Sequence, residues 1–591
     1  MKKSRGLRIK RRRAARLALC ALAALVLGVG YETMAADEEI LVLQVRGLID
    51  GSGGPALEDA EIVIVGKRVH AVGKRGTVAI PRGASTLNFR DKFAMPGLVD
   101  AHAHYREWQG ELYLSHGVTT AFDIGDNPLP WSFAQQEGID KGKILGPRLL
   151  RAARLNRPAG EDTGAGGSRG RTEVYVRGAE QARAETKKAL ATGVDIVKAL
   201  EDLTTEELGA IVAEAHAAKK PVITHSLNGT EAALAGVEID SIEHSHSVAL
   251  ATVTGAEAKK KLHEGRTRAR DRMTSQEVHS FMEERGYAPV IRQLIAKKVC
   301  FTPTLATAWR AFSVNKKKFQ DDELRLLASP GLAYVPPYFR VNTQDHFRGI
   351  AAIDGNLQQI IEAGYRKLQD FLRRFAKAGG RLQTGSDPNS ILPGLAVQRE
   401  LQLFVEAGLT PREAITTATK NPAECVGRAA DFGTIAPGRF ADIVILDANP
   451  LLDISAIERI HTVFKEGVAR KPEYDPDYRN PIPRTERDRP APEIEKLVPD
   501  SVVPGATPLV LSVRGKNFLS TAQVKFNGRP VSAEVQFRAA KFPQNFRRAT
   551  EIKITISPEL LRQPGTYSVV VEHPGIGGST SNTAHLIAKF R

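Results

Sequence analysis

Cysteine is scarce in this chain. The 591 residues contain three, Cys20, Cys300 and Cys425. That number excludes a disulfide-stapled scaffold, and no CxxC spacing offers a zinc ribbon or a redox pair. Cys300 and Cys425 are therefore expected to serve in packing. Long apolar runs are missing too. Crossing a bilayer takes ~20 such residues; the stretch Leu17–Val29 falls short, and no other segment is apolar enough. The formal charge of +16 invites a nucleic-acid reading, but no basic stripe interleaved with aromatics supports one. Nine Lys and Arg lie within residues 1–36 against the single acid Glu32, and taking that excess away leaves +8, which a solvated surface accommodates. The glycine-rich loop Gly164–Ser168 lacks the Lys-Ser or Lys-Thr ending of a phosphate loop.

The N-terminus has the three parts of a signal peptide. Basic residues end at Arg16, the apolar run follows, and the small-residue context Thr33-Met34-Ala35-Ala36 precedes Asp37-Glu38-Glu39. Residues 1–36 are expected to direct export to the periplasm or outside the cell, leaving no stable membrane span. An uncleaved anchor is the other reading.

The remaining length suits several domains at ~100–200 residues each. Residues 37–95 alternate as short strands with glycine turns, for example Ile40–Arg46 and Glu61–Gly66. From 96 to 430 the pattern becomes alternately strand and helix. Eight strand candidates, Gly97–Asp100, Val118–Asp123, Arg148–Ala153, Asp195–Leu200, Pro221–Thr224, Ile239–Glu243, Val299–Pro303 and Arg381–Thr384, are separated by helical stretches such as Ala179–Ala191 and Glu206–Ala218. Eight βα units predict an α/β fold of the (β/α)8 TIM-barrel type. Residues 431–470 return to strands and are expected to rejoin the N-terminal block as a small β-sandwich built from both flanks. The proline-rich, charged segment 471–493 predicts an extended linker. Short alternating strands over 494–591 predict a separate β-sandwich.

Within that frame the metal-ligand residue types fall at strand ends. His102 and His104 follow the first barrel strand as HxH, and alternation can turn both imidazoles to one ion. Lys198 lies in the apolar fourth strand, His225 and His244 end the fifth and sixth, and Asp387 follows the eighth. The C-terminal rim of such a barrel is where its enzymes do chemistry. Any one of these residues alone reads as an ordinary polar strand end. Six together at five strand ends read as a site. Tyr105 and His246, beside these ligands, are candidate substrate contacts; packing and outer support are their bland alternatives.

The motifs Pro96–His104, Val194–Lys198, Thr224-His225, Ser241–His244, Thr384–Asp387, Ala418–Ala423 and Gly433–Asp442 resemble the amidohydrolase superfamily, in its imidazolonepropionase-like and Xaa-Pro dipeptidase-like branch. The resemblance implies two divalent metal ions, zinc by first choice. His102, His104 and Asp387 would hold one and His225 and His244 the other, with an N6-carboxylated Lys198 between them and Asp387 as catalytic acid–base. It implies hydrolysis of amide-type C–N bonds in a dipeptide or cyclic amide. Two alternatives stand beside it: a mononuclear deaminase-like hydrolase, and a non-catalytic surface-binding protein on a retired barrel. Residues Leu497–Ser501, Leu509–Gly515, Val524–Gly528 and Gly565–Val569 resemble an IPT/TIG immunoglobulin-like domain, implying a spacer or a module that binds a protein or surface.

Overall fold

The computed structural model describes residues 39–483, 491–536 and 549–589, apart from 126, 158–172, 201–202, 226–227, 258, 261, 263–275, 520 and 574–578. The expected signal peptide, residues 1–36, and the loop Gly164–Ser168 lie outside the described residues.

The chain opens with β1 (Ile40–Leu48), β2 (Leu57–Val65), β3 (Arg68–Lys74) and β4 (Ser85–Pro96). Eight parallel strands follow, interleaved with helices: β5 (Leu98–Ala103), β6 (Val118–Asp123), β7 (Arg148–Asn156), β9 (Ile196–Ala199), β10 (Val222–Thr224), β11 (Ser241–Glu243), β12 (Cys300–Thr302) and β13 (Arg381–Leu382). A short β8 (Glu173–Tyr175) pairs with the far end of β7. Backbone hydrogen bonds from Ala101 to Thr384 (2.9 Å) and from Asp387 to His102 (2.8 Å) join the first and eighth strand regions and close the barrel. Residues on alternate strand positions fill its interior: Val99, Ala101, Phe122, Leu150, Ala152, Ile196 and Ile223 form one buried cluster. Large apolar runs in these strands are thus consumed on both faces, inward by this cluster and outward by the helices.

After the barrel, β14 (Ile443–Leu446), β15 (Ile460–Lys465) and β16 (Val468–Arg470) join the N-terminal strands in one seven-stranded sheet, ordered β16-β15-β14-β4-β1-β2-β3. Backbone bonds from Val69 to Arg439 and from Ala441 to Lys67 fold it over a shared core that includes Leu43, Ile62, Ile443 and Phe464. Further along, sheets of four and five strands enclose Leu511, Val513, Phe526, Ile552, Val569 and Leu586, the expected C-terminal β-sandwich.

Two expectations need correction. Cys300 and Cys425 are not simple packing residues; they form a disulfide, with Cα atoms 6.3 Å apart. Their sequence separation of 125 hid this. Cys300 opens β12 and Cys425 closes the helix Lys420–Cys425 after the last barrel strand, so closure of the barrel brings them together. The segment 471–493 is also not a free linker throughout. Its described first part lies along the barrel as a strap. The Tyr478 hydroxyl sits 3.1 Å from the Leu145 carbonyl, and the Trp131 ring N–H donates to the Ile482 carbonyl at 3.1 Å. Prolines and charges dominate the composition there, but Tyr474, Tyr478 and Ile482 supply enough apolar surface to dock.

Candidate active site

Strand alternation puts the site on top of the barrel core. Ile196 and Ile223 belong to the interior cluster. Two residues further along, Lys198 and His225 take the same inner face. On β5 plain alternation cannot place both Ala101 and His102 inward. The register shift between Asp100 and Ala103 resolves this, as a bulge re-aims a side chain. At the eighth strand, Gly385 lets two backbones meet: a Cβ there would stand 2.6 Å from the Cβ of His102 and 2.4 Å from Thr302.

The geometry brings five of the six expected ligands, His102, His104, His225, His244 and Asp387, next to one another. His104 Nε2 lies 3.3 Å from Asp387 Oδ1, and His102 Nε2 lies 4.0 Å from the same oxygen. Ligand atoms of His102, His104 and Asp387 all fall within 4.8 Å of one another, a spacing that one cation can bridge. The His225 and His244 rings are 4.1 Å apart, and His244 stands 4.7 Å from His102. Lys198 is buried among them, and its charge bears on His102, His225, His244 and Asp387.

Electrostatics suits metal ligation. Burial pushes the His102 and His225 imidazoles well below their ordinary pKa, with neighbouring cationic groups adding to it. Burial likewise brings His244 down to about 4. These imidazoles are neutral near pH 7, as a metal ligand must be. Burial works to raise the Asp387 carboxyl, but its bond to His104 and the surrounding positive groups outweigh it and hold it at about 2. Neutral nitrogen donors around a partly exposed carboxylate are a donor set for zinc and similar divalent ions.

Three supporting acids and hydroxyls went unread in the sequence. Glu243, fully buried, stands with Oε1 2.8 Å from His102 Nδ1 and forms an ion pair with Lys198 through its other oxygen. Asp100 accepts the backbone N–H groups of His102 (3.1 Å) and Ser386 (2.9 Å), and so sets the eighth-strand loop against the first. Thr304 Oγ1 lies 2.7 Å from His244 Nδ1. Asp100 lies in the Pro96–His104 motif, two residues before His102, and Glu243 in the Ser241–His244 motif, which was the one available signal.

The lesser candidates divide. His246 opens the helix after β11, its ring 5.5 Å from His279 and its charge felt by His225, which keeps it beside the site. Tyr105 does not reach it. The residue is fully buried, its ring packs 6.2 Å from Tyr113, and Gly110 and Gly146 make room for its hydroxyl. Tyr105 lies past the end of β5 and belongs to the main apolar core, so the substrate-contact role is corrected to a core role.

The chain belongs to the amidohydrolase family: the family model matches residues 93–470. Among curated proteins, an adenine deaminase of Moorella thermoacetica is 44% identical over 59 residues, 10% of each chain. An imidazolonepropionase of Shouchella clausii is 35% identical over 86 residues, 14% of this chain and 18% of that one. The matched segments thus span a tenth to a fifth of these relatives' length. The solved structure of a Xaa-Pro dipeptidase with bound methionine is 20% identical, with a TM-score of 0.52 over 73% of this chain and all of that one. That likeness is one of fold.

Proposed function

We propose that this protein is an exported, metal-dependent hydrolase of amide-type C–N bonds in a small substrate, either a dipeptide of the Xaa-Pro kind or a cyclic amide. The observation that carries the reading is the meeting of His102, His104 and Asp387, with His225, His244 and Lys198 beside them, on the barrel rim. His102, His104 and Asp387 would hold one divalent ion, zinc by first choice, and His225 and His244 a second, with carboxylated Lys198 shared. Bound there, such ions lower the pKa of water and polarise a carbonyl. Asp387 does the proton work: its carboxylate takes the proton of the attacking water and returns it to the leaving nitrogen.

One contact favours a second reading. Lys198 forms an ion pair with Glu243. An ammonium held this way does not react with CO₂, which leaves a mononuclear hydrolase of the deaminase-like kind. The disulfide between Cys300 and Cys425 supports export, since such bonds persist in oxidising compartments. The C-terminal β-sandwich is proposed as an IPT/TIG-like spacer or surface-binding module.

The test is to load purified protein with zinc and bicarbonate and measure metal content and intact mass. Two equivalents of zinc and a mass gain of one CO₂ support the binuclear form; one equivalent without the gain supports the mononuclear form. No bound metal, and no hydrolysis across a panel of dipeptides, cyclic amides and acyl amino acids, rejects both. Recovery of the protein in the cytoplasm with an intact N-terminus rejects export.

A further inference from the structure

We infer that Thr304 is a positioning residue, which sets the His244 ring so that Nε2 is the nitrogen offered to a metal ion. The inference rests on the proposed metal site, and it concerns a residue that lies 60 positions from its partner.

Thr304 follows β12, at the start of the short helix Leu305–Ala308. Its φ is +53°, and His244 and Asp387 share the left-handed region at +58° and +41°. For a β-branched residue this conformation is costly, and it persists only where the surroundings enforce it. They do so here. Glu400, fully buried on the helix Leu395–Glu406, accepts the backbone N–H groups of Leu305 at 2.8 Å and Ala306 at 2.6 Å. The backbone on either side of the pair is joined as well, since the His244 N–H donates to the Thr302 carbonyl at 2.8 Å.

The direction of the side-chain bond follows from counting protons. A threonine hydroxyl has one. Thr304 gives its proton to the Pro303 carbonyl at 2.8 Å. Its oxygen can then only accept from His244 Nδ1, 2.7 Å away. A neutral imidazole has one N–H, so with Nδ1 protonated the lone pair is on Nε2. The hydroxyl thereby selects both ring orientation and tautomer, as the outer partner of a metal-bound histidine does.

Three forms of the full chain test this: wild type, Thr304→Val, which keeps the branched shape without the hydroxyl, and Thr304→Ser, which keeps the hydroxyl. Zinc affinity is read by competition with a chelator, and the histidine tautomers of metal-free protein by nitrogen-15 NMR. Thermal unfolding checks that all three fold alike. Thr304→Val is expected to bind zinc about 10–100-fold more weakly. Thr304→Ser is expected to stay within about threefold of wild type, since the outer bond survives. The NMR signal of His244 should show Nδ1–H in wild type and Thr304→Ser, and a mixture in Thr304→Val. Wild-type zinc affinity in Thr304→Val, or an unchanged tautomer, overturns the inference. If wild type itself binds no zinc, the metal reading fails separately, and the tautomer comparison still decides the role of Thr304.

Discussion

In the proposed mechanism Asp387 carries the most chemistry of any single residue. It sits at positive φ, it is half-buried, and its carboxyl pKa is held down at about 2 because its bond to His104 and the positive groups around it outweigh desolvation. Asp387→Asn keeps the shape and a ligand oxygen but removes the group that moves the proton. The expected outcome is loss of at least ~100-fold in kcat, the usual contribution of a positioned acid–base, while bound zinc remains measurable. Full activity in that variant would remove Asp387 from the mechanism. Ligand histidines were legible in the sequence because each ends an apolar strand, where an imidazole is conspicuous. Glu243 was not. It lies next to His244, and its partners, His102 and Lys198, come from two other strands.

Among elements, the strap formed by residues 471–483 shows how composition can mislead. It docks through particular side chains, and one contact is sensitive to pH. The Gln398 amide donates to the carbonyls of His116 (3.2 Å) and Ile457 (3.0 Å), which turns its oxygen toward His116 Nδ1 at 3.0 Å. Nδ1 is therefore the protonated nitrogen, and Nε2 accepts the Tyr474 hydroxyl at 2.9 Å. Burial pushes this imidazole down to about 4, and the Gln398 bond only partly offsets it. An unfolded histidine titrates near ~6.5. Between those values the unfolded chain binds the proton and the folded one does not, so stability falls as pH drops. The full effect is about 3 kcal/mol, complete above pH ~6.5 and lost toward pH 4. Urea unfolding at pH 7 and pH 4.5 should show a smaller acid loss in His116→Gln than in wild type. Equal losses would mean that His116 does not contribute.

In the whole molecule, the barrel and the seven-stranded sheet are locked by a buried charge network. Arg148 begins β7, and its guanidinium reaches Asp442 at 2.7 Å and Glu466 at 2.8 Å, with the Phe440 ring 4.0 Å away. Arg148→Met would leave two carboxylates in a poorly solvated place. The expected cost is about 3–5 kcal/mol in denaturant unfolding, and Arg148→Lys should recover part of it by restoring charge without the two-pronged geometry. An Arg148→Met protein as stable as wild type would show that the junction does not depend on this network.

Local pattern alone determined the barrel, its flanking strands and the rim positions of the six candidate ligand residues. Strand length, helix period and strand-end chemistry are properties of short segments, and closing eight such units puts their ends in one ring whatever the details. Tertiary structure alone decided which groups support those ligands, that Cys300 meets Cys425, that Tyr105 turns into the core, and that the proline-rich segment docks. Each of these depends on a neighbour contributed by a distant strand or helix, and no local period encodes that distance.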